Sequence, residues 1–202
     1  MLRECPVRNR KRFLLGCILP DAFAERDQRS LCHFNNRSIP GFMYFDFDAF
    51  RERFGEKMAE DDLYLGYYMH LVEDNFYRNF FRARLGVAID NQKPEQVRRL
   101  HLDYTLLNNY IVERYGLHNE VERPADFEAE PLAAVARFDL DGFLREFEGD
   151  FVRQVTGETR YLTEAVLEEF LALYYEPCLR ELRTVMSGGR GLIAKDMAWS
   201  KP

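Results

Sequence analysis

His70 and Asp74 lie one helical turn apart in the segment Gly66-Tyr67-Tyr68-Met69-His70-Leu71-Val72-Glu73-Asp74, on a face whose other members are apolar. Stepping by three and four residues collects Leu63, Gly66, Tyr67, His70, Leu71, Asp74, Tyr77 and Phe81 on one side of a helix. Burying a carboxylate costs several kcal/mol, roughly, unless a cation or a hydrogen-bond donor meets it. Either a divalent metal or a hydrogen-bonded polar pair in the core answers for both side chains. Three further residues have the chemistry to join them: Asp21 after Leu19-Pro20, His33 in Ser30-Leu31-Cys32-His33-Phe34, and Asp103, which interrupts an apolar helical stripe as Asp74 does. Asp103 is read equally well as a buried acid paired with Arg78 or Arg99. Together, Asp21, His33, His70, Asp74 and Asp103 have the composition of a divalent-metal site. Imidazole with carboxylate suits zinc, iron or manganese, and the absence of clustered thiols speaks against a structural zinc site. His101, on a helix flank, and His118, after Gly116, are read as solvent-facing.

Helical periodicity dominates the elements that must position these groups, and alternating periodicity is nearly absent. Helices are predicted from Asp46 to about Met58, from Asp61 to Arg84, and from Pro94 to Tyr115 with Gly116 as the stop. The third would bury Val97, Leu100, Asp103, Tyr104, Leu107, Tyr110, Ile111 and Arg114. An acidic loop over 117–131 follows, long for a connection. Helical pattern returns from Asp139 to about Val155 and from Thr163 to Met186, where Pro177 is expected to kink or split the element. The fold class is all-α, one multi-helix domain over 1–202 with 1–12 and 188–202 expected to be loose.

Composition narrows the function classes. A chain of 202 residues can bury a sizeable core, and 17 Phe and 11 Tyr against one Trp point to a core of aromatic knobs, with enough surplus for an exposed patch and a homodimer. A net charge of −6 leaves no concentrated positive field for stable nucleic-acid binding, while a small phosphorylated substrate stays compatible. No stretch approaches the roughly 20 apolar residues of a transmembrane span. Cys5, Cys17, Cys32 and Cys178 lack metal-binding spacing and read as reduced thiols. Arg8-Asn9-Arg10-Lys11-Arg12 before Phe13-Leu14-Leu15-Gly16-Cys17-Ile18-Leu19 imitates a signal peptide, and Leu14-Leu15-Gly16-Cys17 a lipoprotein cleavage site. Pro20-Asp21 interrupts that apolar run early, so a cytoplasmic location is expected.

The successive segments Phe13-Leu14-Leu15-Gly16-Cys17-Ile18-Leu19-Pro20-Asp21, Cys32-His33-Phe34 and Leu65-Gly66-Tyr67-Tyr68-Met69-His70-Leu71-Val72-Glu73-Asp74 resemble signatures of the zinc-dependent phospholipase C and P1 nuclease superfamily, most of all its small bacterial members. The resemblance covers the first 85 residues or so. It implies an all-α fold of that type in which Asp21, His33, His70 and Asp74 bind one metal, zinc first with iron or manganese as alternatives. The chain lacks a His before His33 and after His118, so the resemblance implies a single-metal core, to which Asp103 or Glu73 would add a second site. The implied activity is hydrolysis of phosphate esters by a metal-activated water. Asp21 would be a ligand or the catalytic base, and Arg37 and Tyr67 would hold a phosphoryl oxygen. Two alternatives stand beside it: a non-catalytic helical scaffold that binds a metal or ligand, and an HD-type phosphohydrolase, weakened by the absence of any His-Asp dipeptide.

Overall fold

The computed structural model describes residues 2–85 and 93–200. Among the described residues seven α-helices form a single all-α domain: α1 (Arg10–Ile18), α2 (Arg29–Cys32), α3 (Phe47–Glu60), α4 (Asp62–Leu85), α5 (Pro94–Tyr115), α6 (Leu140–Val152) and α7 (Glu164–Met186). A small antiparallel sheet accompanies them, in the order β1 (Asn35–Asn36), β2 (Phe42–Phe45), β3 (Trp199–Ser200).

The central element is α4. Tyr64, Leu65, Tyr68, Met69 and Val72, which fall off the predicted buried stripe, are as buried as Leu63, Tyr67 and Leu71. A helix covered all round shows no clean amphipathic signal; here α1, α3 and α7 cover it from different sides. The closest approach is to α1. A Cβ on Gly16 would stand 2.1 Å from the Leu63 carbonyl oxygen, and one on Gly66 would stand 2.1 Å from the Phe13 carbonyl oxygen. The two helices therefore cross backbone to backbone at a pair of glycines.

Around this crossing the core is aromatic. Phe50 stacks on Tyr67 with ring centres 4.9 Å apart, and Phe34 meets Phe50, Phe54 and Tyr67 edge-on. Asn75, fully buried, ties β2 to α4: its amide oxygen accepts from Phe45 N (3.1 Å) and its nitrogen donates to the carbonyls of Phe45 (2.8 Å) and Leu71 (2.9 Å).

Several expectations are corrected. The ends are not loose within the described residues, which exclude 1, 201 and 202: Arg10–Arg12 belong to α1, Asp62 accepts from Arg8 and from the Asn9 backbone, and Trp199 is buried against Phe45. Helix α7 runs through Pro177 without splitting, and α6 ends at Val152 rather than Val155. On α5, Asp103 and Leu107 are buried but Arg114 is exposed. Helix α1 occupies the segment that imitates a signal peptide, and its basic residues are answered by the acidic loop. Arg10 pairs with Glu120 at 2.9 Å, Lys11 with Glu122 at 2.5 Å, and Arg12 with Glu130 at 2.5 Å. Among the described residues no helix is long and apolar enough to cross a membrane, and the four cysteines are free thiols.

Candidate metal centre

The four polar side chains of the centre arrive on three pieces of backbone. A 3₁₀ turn over Leu19–Asp21 follows α1 directly and presents Asp21. The chain beyond it is pinned to the start of α6, with Ala24 N donating to the Arg137 carbonyl (2.8 Å) and Asp139 N to the Ala22 carbonyl (2.9 Å). His33 caps the C-terminal end of α2. The next residue, Phe34, takes a left-handed φ of 49°, uncommon for a bulky side chain, and the ring packing just described holds it there. His70 and Asp74 come from successive turns of α4.

The four groups converge. His33 Nε2 lies 3.2 Å from Asp21 Oδ1 and 3.6 Å from Asp74 Oδ2, while His70 Nε2 lies 3.9 Å from both Asp21 Oδ2 and Asp74 Oδ2. The two Nε2 atoms are 3.4 Å apart. Asp21, His33 and His70 offer ligand atoms that all lie within 4.8 Å of one another. Both imidazoles are oriented from behind: His70 Nδ1 sits 2.7 Å from the Cys17 carbonyl oxygen and His33 Nδ1 3.0 Å from that of Arg29. A carbonyl only accepts, so each Nδ1 carries a hydrogen, and in the neutral rings both Nε2 lone pairs face the same small volume. Two lone pairs and two carboxylates directed at one point repel unless a cation or protons lie between them. The donor set, nitrogen and oxygen without thiolate, fits a divalent transition metal.

Electrostatics divide the two rings. Burial pushes the His33 pKa down against the pull of Asp21, whereas at His70 burial is outweighed by Asp74 and Asp21, and its pKa stands above the ordinary value. Desolvation raises Asp21, but its contact with His33 and the charge of His70 override that and hold it below the usual carboxylate range. Asp21 is also the most open of the four, its side chain 48% exposed against 24% for Asp74 and 1% for His33.

The chain matches no family model, no curated protein and no solved structure.

Asp103 does not join the cluster. Its carboxylate accepts from the backbone N–H groups of Arg160 (2.9 Å), Tyr161 (2.6 Å) and Leu162 (3.1 Å), with Arg99 Nε at 3.5 Å, so it is the anchor of the segment that leads into α7. Arg99, and not Arg78, is its arginine. Glu73 stands off the cluster on the flank of α4 as well; burial raises its pKa to about 7. Tyr67 is fully buried with its hydroxyl donating to the Cys32 carbonyl, and Arg37 is exposed in the loop before β2. The Tyr67 hydroxyl is thus committed to a backbone carbonyl, although it feels the charge of Asp21. His101 and His118 are solvent-facing, as expected. The carbonyls of Cys17 and Arg29, which fix the imidazole tautomers, carry no side-chain signal in the sequence. Two arginines beside the centre do. Arg29 is one turn before His33 and Arg78 one turn after Asp74.

Proposed function

We propose that the protein is a metal-dependent hydrolase of phosphate esters, of the kind that the zinc-dependent phospholipase C and P1 nuclease resemblance implies, with Asp21, His33, His70 and Asp74 holding one divalent metal. The observation that carries this reading is the convergence of the His33 and His70 Nε2 atoms, 3.4 Å apart, on two carboxylates, with both tautomers set by backbone carbonyls. A divalent metal bound there supplies a Lewis acid and a water acidified toward neutrality. His33 and His70 serve as neutral ligands whose orientation is fixed before binding. Asp74, less exposed, balances charge. Asp21, at the solvent edge and ionised at neutral pH, has one oxygen toward His33 and the other toward His70. It is the group positioned to hold a water and accept its proton at a carboxylate oxygen.

Elemental mass spectrometry on protein purified without a metal-affinity column tests the reading. Near-stoichiometric zinc, iron or manganese in the wild type, absent from His70→Ala and Asp74→Ala, supports it and leads to hydrolysis assays on phosphomonoesters and phosphodiesters. A wild type that stays empty after incubation with all three metals overturns it and leaves a polar cluster in a helical scaffold.

A further inference from the structure

Two guanidiniums lie on the elements that carry the centre and, among the described residues, pair with no carboxylate at salt-bridge distance. Arg29 shares the α2 face with His33, and Arg78 continues the line His70, Asp74, Arg78 along α4. Both are partly buried, and neither makes an ion pair or a side-chain hydrogen bond among the described residues; Arg78 Nε is buried with no hydrogen-bond partner. Arg51 and Arg99 also each keep one buried nitrogen without a hydrogen bond, but each has its carboxylate, Asp48 at 2.5 Å and Asp103 at 3.5 Å. A desolvated guanidinium without an acceptor is costly, and two within electrostatic reach of one another more so. Arg78 lowers the pKa of Arg29, after burial the largest influence on it, while Asp21 and Asp74 raise it, so all four charges share one environment. Tyr104, hydroxyl to hydroxyl with Tyr77 at 2.8 Å, feels Arg78, Asp74 and Arg29 together and closes the set from α5.

We propose that Arg29 and Arg78 form a clamp for the dianionic phosphoryl group of a phosphomonoester, placed beside the metal. This rests on the hydrolase reading and narrows it. Asp21 and Asp74 offset a bound dication, which leaves the two guanidiniums as uncompensated positive charge. A phosphomonoester dianion matches that surplus, whereas a diester, with a single charge, leaves half of it unmet. The planar forks of two arginines also suit the oxygens of one phosphoryl group.

The test is calorimetric titration of inorganic phosphate into the metal-loaded full chain, with Arg29→Gln and Arg78→Gln, and with Arg29→Lys and Arg78→Lys to keep charge without the fork. Metal content and a thermal melt of each variant report the metal site and the fold separately. The expected result is phosphate binding weakened about tenfold or more in each Gln variant, less in the Lys variants, with metal retained. Competition by glycerol phosphate marks a soluble ester as the natural source and competition by vesicles containing phosphatidic acid marks a lipid headgroup. Dimethyl phosphate should compete weakly. Unchanged phosphate affinity in folded, metal-loaded Gln variants overturns the clamp and leaves the metal site standing, as does equal competition by dimethyl phosphate. If the wild type takes up no metal, the hydrolase reading fails by itself. The same titration on the metal-free chain then decides whether the arginines hold the anion.

Discussion

At the scale of single residues, the candidate centre is defined as much by what stands behind each side chain as by the side chain itself. The residue types His33, His70, Asp21 and Asp74 were legible because each breaks an apolar or loop context in a way that asks for a partner. Asp103 met the same criterion and has a different answer, three backbone N–H donors from 160–162. A buried acid in a helical stripe signals only that something satisfies it, and a one-dimensional pattern cannot say whether that is a metal or a loop. The difference is measurable. Asp103→Ala is expected to leave those donors unsatisfied and to lower stability by about 2–4 kcal/mol in denaturant unfolding, with metal content unchanged, whereas Asp74→Ala is expected to reverse the pattern. Equal metal loss in both would place Asp103 in the centre after all.

At the scale of elements, the centre depends on how closely α1 and α4 approach. The Gly16 and Gly66 crossing brings the end of α1 against α4, which lets the Cys17 carbonyl reach His70 Nδ1 and the following turn present Asp21. Gly66→Ala is expected to force the helices apart, to cost several kcal/mol (about 3–5) in unfolding free energy, and to lose metal although Gly66 is no ligand. Gly55→Ala on α3, where an added Cβ meets nothing within 4 Å, is the control; it is expected to raise stability by about 0.5–1 kcal/mol. Destabilisation by both would mean that helix glycine content and not the crossing is being measured. Helix α4 is legible in position because its acidic start at Asp61-Asp62 and its length are strong signals, but its burial on every side is not, since three-and-four spacing marks only one stripe. Helix α1 went unrecognised because a basic run before an apolar run reads as a signal peptide. The small sheet is three strands of two to four residues, too short for alternation to show.

At the scale of the whole molecule, the charges that look like a targeting signal and an acidic linker in one dimension form a seam between α1 and the 117–131 loop in three. Long-range charge pairing leaves no local period, so the sequence offered the two runs without their relation. Most of the seam is exposed and worth little. Its inner end is different: Arg12 binds Asp61 through two nitrogens, Nε to Oδ1 at 2.7 Å, and reaches Glu130, which also accepts from the Tyr64 hydroxyl at 2.9 Å. Partial burial pushes the Asp61 pKa up, but Arg12 and the Leu63 N–H outweigh it, and the carboxyl titrates below its ordinary value. A depressed folded-state pKa means that the unfolded chain binds the proton more readily. The stabilisation is therefore present in full above the unfolded value of about 4 and is lost as pH falls through the lower folded value. Arg12→Met is expected to cost about 1–2 kcal/mol at neutral pH, by chemical denaturation. The gap to wild type should close as pH drops from about 4 toward 2, where Asp61 is protonated in both chains. A gap that stays constant over that range would assign the loss to packing of the Arg12 stem, and the seam would then hold α1 in place by shape and not by charge.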